Sequence, residues 1–83
     1  MNQAIQFPDR EWWDEKAQAV CFPALVNGFQ LTCALRGEAL ARRFGESPDP
    51  LTTFRHHRWD IEDEAEQAIK EGKEDDQGWV WLC

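Results

Sequence analysis

The sequence predicts an α+β domain: a two-layer sandwich with an antiparallel sheet of about four strands and two helices on one face, in the chain order β-β-β-α-α-β. Two observations carry this prediction. Apolar-rich segments flank Asn27-Gly28, the strongest short-range signal for a β-hairpin. A stretch with helical spacing of apolar residues follows Pro50. With 83 residues and 42% hydrophobic content, residues 1–83 are expected to form a single domain with one main core.

The hairpin signal also predicts a strand register. If Val26 and Phe29 close the turn, Phe22 lies opposite Cys33, and the face that contains this pair belongs to the core. The predicted core positions are Val20, Phe22, Ala24, Leu31, Cys33 and Leu35. The opposite face is thinner, as is usual for an antiparallel sheet in a small domain.

The segment before the hairpin is expected to hold a short first strand over Gln3–Phe7, which Pro8 ends. Asp9–Lys16 is typical of a turn or a short helix. Pro23 cannot donate a ladder hydrogen bond, and in the predicted register its missing donor points away from the hairpin partner. The first strand is therefore expected to pair with the earlier part of the second strand, unless a bulge lies there.

Helical signals dominate the second half of the chain. A short helix is predicted over Glu38–Phe44. Asp49 is placed to cap a long helix that begins at Pro50 and runs to about Glu71, and Gly72 is placed to end it. Trp79–Leu82 is predicted as a final strand that lengthens the sheet.

Charge is unevenly distributed along the chain. The formal net charge is −7, and the excess of acidic residues lies within residues 60–76. The arginines near the middle of the chain form a basic region, made of Arg42, Arg43, Arg55 and Arg58. The molecule is therefore expected to be dipolar, with an acidic helix surface toward the end of the chain.

Cysteine content and hydropathy predict a cytoplasmic location. Cys21, Cys33 and Cys83 form an odd set without CxxC spacing, and the hairpin register places the first two on opposite faces, so all three are expected to stay reduced. The chain shows neither a secretion signal nor an apolar run of about 18 residues, so neither secretion nor membrane insertion is expected.

The densest polar cluster is Arg55–Arg58. Arg58 lies four residues before Glu62, so the two side chains share a helix face. In one interpretation Arg58 is structural and pairs with Glu62 or caps carbonyls. In the other, Arg58 and His57 bind a carboxylate or a phosphate at the edge of the sheet.

Metal binding and nucleophilic catalysis are disfavoured by the residues available. His56 and His57 are adjacent, and adjacent helical side chains diverge by about 100 degrees, which disfavours chelation of one ion. Ser47 is the single serine and lies in a turn, and the cysteines lack an evident base partner. No metal, cofactor or catalytic residue is therefore predicted.

Tryptophans are candidates for a partner surface. Trp79 and Trp81 share one face of the last strand and alternate with Val80 and Leu82. One of these pairs is expected in the core, with the other covering the opposite face. If Trp79, Trp81 and Trp12 lie outside, they form an apolar patch that would bind a partner or a second copy of the chain.

Four segments resemble the YrdB group of short bacterial proteins, a family of unknown function. They are Ile5–Asp9, Cys21–Gly28, the helix pattern from Phe54 through Arg58 to Ala65, and Asp75–Leu82. The resemblance runs essentially from end to end. It implies a compact α+β domain, and it supplies no substrate, cofactor or catalytic residue.

Three function hypotheses follow. The leading one is a non-enzymatic protein-interaction or regulatory module with an unknown protein partner. The alternative is an anion or nucleic-acid binder, for which Arg42, Arg43, Arg55, His57 and Arg58 are the candidate residues. A pI near 4.6 disfavours nucleic acid as the partner. The third is a small enzyme that acts through Arg58, Glu62 and His57.

Overall fold

A computed structural model describes residues 4–83, which form five strands and three helices. The elements are β1 (Ile5–Gln6), β2 (Trp12–Asp14), β3 (Ala19–Val26), β4 (Phe29–Arg36), α1 (Gly37–Phe44), α2 (Pro50–His56), α3 (Arg58–Lys70) and β5 (Trp79–Leu82). The strands form one sheet in the order β1-β3-β4-β5, and β2 also pairs with β3. The α+β fold is confirmed, with one more strand and one more helix than predicted. Gln3, the start of the predicted first strand, lies outside the described residues.

The hairpin register is confirmed. Strands β3 and β4 are antiparallel, with Val26 opposite Phe29 and Phe22 opposite Cys33. Asn27 and Gly28 have φ angles of 52° and 86°. Positive φ at both central residues is what a type I′ turn requires.

The prediction of a wholly antiparallel sheet is wrong, because β5 is parallel to β4, with Cys33 opposite Val80. Between the two strands the chain runs through all three helices. A parallel neighbour needs such a long crossover, whereas a hairpin does not. The composition of Trp79–Leu82 indicated a strand but carried no information on its direction.

The outer edge of β3 is shared by two short strands instead of one. Strand β1 pairs with Leu25 and Val26, and β2 pairs with Ala19–Cys21. Pro23 lies in β3 between the residues that pair with β1 and those that pair with β2. Its nitrogen faces the edge of β3 away from β4, where no ladder donor is needed. The expected pairing of the first strand with the earlier part of β3 is wrong. The turn or short helix expected over Asp9–Lys16 is wrong at Trp12–Asp14, which form β2, whereas Glu15 and Lys16 lie in a turn.

The predicted long helix is two helices, because the backbone leaves helical geometry at His57 (φ −119°, ψ 21°). The His57 ring stacks on Phe44 of α1, with ring centroids 3.9 Å apart and an interplanar angle of 11°. The break separates α2, which contacts β2 and β3, from α3, which contacts β5. The predicted start is confirmed, since the Asp49 carboxylate accepts a hydrogen bond from the Leu51 N–H.

The end of α3 is a Schellman motif. Gly72 has a φ of 71° and donates its N–H to the Ile69 carbonyl, while Lys73 donates to the Ala68 carbonyl. The glycine predicted to end the helix thus occupies the left-handed position that favours glycine.

The main core lies between the sheet and the three helices. Its largest fully buried side chains include Phe22, Phe54, Leu35, Leu40 and Ile61. A second, smaller cluster lies on the opposite face of the sheet, where tryptophans cover small residues. It is formed by Ala19, Cys21 and Ala34, with Trp12, Ala17, Trp79 and Trp81 packed against them. All three helices thus pack on one face of the sheet, as predicted for two. Within residues 4–83, none of the helices has the length and apolar character needed to cross a membrane.

The three cysteines are free and differ in environment. Cys21 and Cys33 are buried on opposite faces of the sheet, and Cys83 is exposed. Burial, together with the nearby carboxylate of Asp14, raises the pKa of Cys21 from 9.0 to about 11. Burial also raises the pKa of Cys33 to about 12. Because the thiolate is the reactive species, both buried thiols should react slowly.

We expect iodoacetamide at pH 8 to alkylate one thiol of the folded protein and three of the denatured protein. The raised pKa values alone lower the thiolate fraction of Cys21 and Cys33 by about 100-fold or more, and burial blocks access of the reagent to both thiols. Mass spectrometry of a time course checks this, with Cys83→Ser as the control that should react with none while folded. Rapid labelling of Cys21 or Cys33 in the folded protein would contradict the placement.

Candidate functional site

The densest polar region is centred on Arg58 and is called here the arginine cluster. It consists of Arg55, Arg58, Asp9, Glu11 and Glu62. The Arg58 guanidinium contacts the Glu11 carboxylate, lies 3.3 Å from Glu62 Oε2 and lies 3.2 Å from Asp9 Oδ1. Arg55 Nε is 2.6 Å from Glu11 Oε2. The two arginines are therefore paired with three carboxylates, which leaves the cluster with a formal charge of −1.

Packing also indicates that Arg58 has a structural role. Its side chain is 16% exposed, and its guanidinium carbon lies 4.9 Å from the centre of the Phe54 ring. Burial would lower the pKa of Arg58, but the carboxylates, chiefly Glu11, outweigh this and raise it. Arg58 is therefore a charged group held by packing and by several acceptors at once.

The two main acceptors differ in their titration. For Glu11, burial alone would raise the pKa, but hydrogen bonds and charges from Arg55 and Arg58 outweigh it and lower the pKa. For Glu62, burial dominates and the pKa is raised despite the hydrogen bond from Arg58. Glu11 is therefore the carboxylate that the cluster stabilises in its charged form.

His57 and Arg58 line the same surface depression, but their side chains make different contacts. Its ring is stacked on Phe44, while Arg58 is occupied by carboxylates. The predicted binding of one anion by His57 and Arg58 stays a prediction, and an anion there would compete with the carboxylates that already pair with Arg58. Residues Arg55–Asp60 line a surface depression of about 430 Å³, and both arginines in it are paired.

The other predicted basic residues lie apart from this cluster. Arg43 makes two contacts with the Glu64 carboxylate and donates to the Cys83 carbonyl at 3.1 Å. Arg42 is exposed. The basic region of the sequence is thus largely neutralised by acids that sequence reasoning did not select, above all Glu11 and Glu64.

Trp79 and Trp81 lie on the sheet face away from the helices, with ring centroids 5.4 Å apart. The guanidinium carbon of Arg36 lies 4.5 Å from the centre of the Trp81 ring. Val80, between them, is fully buried in the main core. Trp79, Trp81 and Trp12 are each partly exposed, so they cover this face and also form part of the surface.

The most exposed large apolar side chain is Trp59, which is 82% exposed. It lies in the first turn of α3, and Asp63 and Glu66 follow it at helical spacing on the same outward stripe. Glu66 is paired with Lys70 at 2.9 Å. We call Trp59, Asp60, Asp63, Glu66 and Gln67 the acidic helix surface. The sequence predicted an acidic helix, but the exposure of Trp59 on that helix was not predicted. The signal available was its position outside the apolar stripe.

No group of three or more histidine, cysteine, aspartate or glutamate side chains within residues 4–83 is placed to hold a metal ion. Fold and surface together define a small α+β protein in which Arg43, Arg55 and Arg58 are ion-paired and the acidic helix presents one exposed tryptophan.

Comparison with known proteins gives the family. The chain belongs to the family described as protein of unknown function (DUF1488), whose model matches residues 5–82. It is 69% identical to "Uncharacterized protein YrdB" of Escherichia coli (strain K12) and 68% identical to the protein of that name from Shigella flexneri, with 99% of each chain covered. It is also similar to a crystal structure of a DUF1488 protein of unknown function from Shewanella loihica PV-4. That match has a TM-score of 0.91 and 30% identity, and covers 99% of this chain and 94% of the other. The family resemblance found in the sequence is thus confirmed.

Proposed function

We propose that the protein is a non-enzymatic interaction module that binds a basic protein partner through the acidic helix surface. The observation that carries this proposal is the 82% exposure of Trp59 beside carboxylates on the same helix face. Tryptophan is enriched among the residues that dominate binding energy at protein interfaces. A large, exposed aromatic side chain with charged residues around it is typical of an anchor residue in a protein interface with a polar rim.

The charge distribution supports a basic partner. The net charge is −7, and Arg43, Arg55 and Arg58 are each paired with carboxylates. The field that remains outside the protein is therefore negative, and it is strongest near α3 and the loop that follows it. Such a field speeds encounter with a cationic surface and disfavours an anionic one.

The two other hypotheses have weaker support. An anion or nucleic acid bound by Arg55 and Arg58 would have to displace Glu11, whose side chain is only 10% exposed. An enzyme acting through Arg58, Glu62 and His57 would need these groups to be free to act on a substrate, but the His57 ring is stacked on Phe44 and Arg58 is paired with Glu11 and Glu62. A cytoplasmic location and self-association through the tryptophan face stay part of the proposal as expectations.

The test uses an amphipathic lysine–leucine helical peptide as a basic probe in low salt. We expect binding that weakens with added salt and that Trp59→Ala weakens by about tenfold, since truncation of an anchor costs more than about 1 kcal/mol. Isothermal titration calorimetry measures both. Phe29→Ala is the matched control, because Phe29 is also exposed, at 77%, and lies at the hairpin turn and not on α3.

Two results would overturn this proposal. One is equal affinity of the wild-type protein and Trp59→Ala for the peptide, or no binding at about 100 µM peptide, well above the micromolar range of a weak specific interface. The other is preferential binding of an RNA oligonucleotide that Arg42→Ala or Arg55→Ala abolishes, which would favour the nucleic-acid hypothesis.

A further inference from the structure

A cleft of about 270 Å³ opens on the sheet face away from the helices. Trp79 and Trp81 line it, together with Asp14, Asp75 and Lys16. Its two carboxylates come from opposite ends of the described chain, Asp14 from β2 and Asp75 from the loop before β5. The cleft therefore combines indole rings with two acidic groups in one small concavity.

We propose that this tryptophan cleft binds an organic cation that presents a guanidinium or alkylammonium group. The face of an indole ring attracts such a cation through its quadrupole, and tryptophan is the strongest of the aromatic side chains in this respect. The molecule itself contains an example, since the Arg36 guanidinium lies 4.5 Å from the centre of the Trp81 ring.

Both carboxylates are held in place by the backbone. Asp75 Oδ1 accepts hydrogen bonds from the N–H groups of Gln77 and Trp79, each at 2.9 Å, and the Asp75 N–H donates to the Trp79 carbonyl at 2.7 Å. Asp14 Oδ1 accepts from the Ala17 N–H at 2.9 Å. The two acids are therefore oriented before a ligand arrives, which lowers the entropic cost of binding.

The backbone bonds to Asp75 also hold it ionised. They lower its pKa, and burial opposes this only in part. Lys16 lines the cleft and the Arg36 guanidinium lies over the Trp81 ring, so both groups compete with a bound cation through like-charge repulsion.

The cleft is separate from the acidic helix surface. Trp79 and Trp81 pack on the second cluster, whereas α3 packs on the main core through Ile61 and Ala65. Because the two surfaces lie on opposite sides of the sheet, binding at one can fail while binding at the other persists. The test below therefore does not depend on the proposed function.

The cation could come from two sources, a free small molecule or a basic side chain of a polypeptide. Choline represents the first and N-acetyl-arginine-N-methylamide the second. We expect saturable shifts of the indole N–H signals of Trp79 and Trp81 in ¹H–¹⁵N NMR spectra, with a Kd of about 1–10 mM for the preferred probe, as cation–π attraction in an open cleft implies. The probe with the lower Kd identifies the source.

Charge variants decide whether the acids take part. Asp14→Asn and Asp75→Asn keep the oxygen that accepts the backbone hydrogen bonds, and each is expected to weaken binding about fivefold, the effect of one unit charge at about 4 Å in water. Lys16→Gln is expected to tighten it. Asp60→Asn is the control, because it removes the same charge from α3 on the other side of the sheet.

Three results would overturn the proposal. The first is the absence of saturable shifts up to about 50 mM of either probe, well beyond the expected Kd. The second is an equal response to 3,3-dimethylbutan-1-ol, the uncharged analogue of choline, because an apolar cleft would not distinguish them. The third is an equal loss of binding in Asp60→Asn and Asp14→Asn. Asp14 lies in β2 and accepts its hydrogen bond from the Ala17 N–H, whereas Asp75 accepts from the backbone of β5, so the Asp14 variant remains informative if Asp75→Asn perturbs that strand.

Discussion

Replacing Phe54 with alanine is expected to lower the free energy of unfolding by about 3–5 kcal/mol, the usual cost of truncating a fully buried phenylalanine. Phe54 has no exposed surface and lies in α2, where its ring is 4.9 Å from that of Phe22 in β3. It joins the helix layer to the sheet and also supports the guanidinium of Arg58. A domain of this size has a total stability on the order of 5–10 kcal/mol, so the variant should be close to unfolding at 37 °C.

Urea unfolding followed by far-UV circular dichroism measures this change. Phe29→Ala is the control, because Phe29 is 77% exposed and the same truncation there should cost less than about 0.5 kcal/mol. If Phe54→Ala fails to fold, Phe54→Leu should still give a measurable transition at a cost of about 1–2 kcal/mol. Similar midpoints for the Phe54 and Phe29 variants would show that Phe54 is not the core residue described here.

Features that depend on neighbours in sequence could be predicted. The hairpin register follows from Asn27-Gly28, because the turn type and the alternation of side chains determine which residues face each other. The start of α2 at Asp49 and the end of α3 at Gly72 follow from capping chemistry, which acts within a few residues.

Features that depend on contacts between residues distant in sequence could not be predicted. The direction of β5 is determined by the crossover through three helices, and Trp79–Leu82 has the same composition in either direction. The helix break at His57 coincides with stacking of its ring on Phe44 of α1, a contact that left no trace in the apolar spacing, which continued nearly unbroken on either side.

The candidate site divides in the same way. The pairing of Arg58 with Glu62 was predictable from a separation of four residues on a helix. The contact with Glu11 spans 47 residues and left no local signal. The sequence therefore predicted the pairing of Arg58 with Glu62, but its main acceptor, Glu11, was not predicted.

That acceptor gives the second large effect. Glu11→Gln is expected to lower the free energy of unfolding at pH 7 by about 2 kcal/mol, the usual range for hydrogen bonds to charged groups being about 1.5–3 kcal/mol. The Glu11 side chain is only 10% exposed and receives both Arg58 and Arg55. Glutamine keeps the shape but removes the charge, which leaves Arg58 with Glu62 and the exposed Asp9.

Two comparisons isolate this effect. Glu62→Gln should cost less than Glu11→Gln, because burial already raises the pKa of Glu62 and makes its charged form less favourable in the folded protein. Glu46→Gln removes the same charge from an exposed loop and should change stability by less than about 0.5 kcal/mol. A Glu11→Gln variant as stable as Glu46→Gln would mean that the arginine cluster does not hold the β1–β2 segment to the helices.

The pH dependence of the free energy of unfolding at acid pH tests the role of Glu11 in another way. The folded-state pKa of Glu11 is lowered from 4.5, so between the two pKa values the unfolded chain binds more protons and stability rises with pH. The contribution of Glu11 is therefore present above pH 4.5 and is lost as the pH falls through the lowered value. Glu62 acts with the opposite sign, because its folded-state pKa is raised and protonation favours the folded state.

Urea unfolding between pH 3 and 6 should show a shallower loss of stability on acidification in Glu11→Gln than in the wild type, and a steeper loss in Glu62→Gln. Identical slopes in all three proteins would contradict the assignment of Glu11 as the carboxylate that the arginines keep charged.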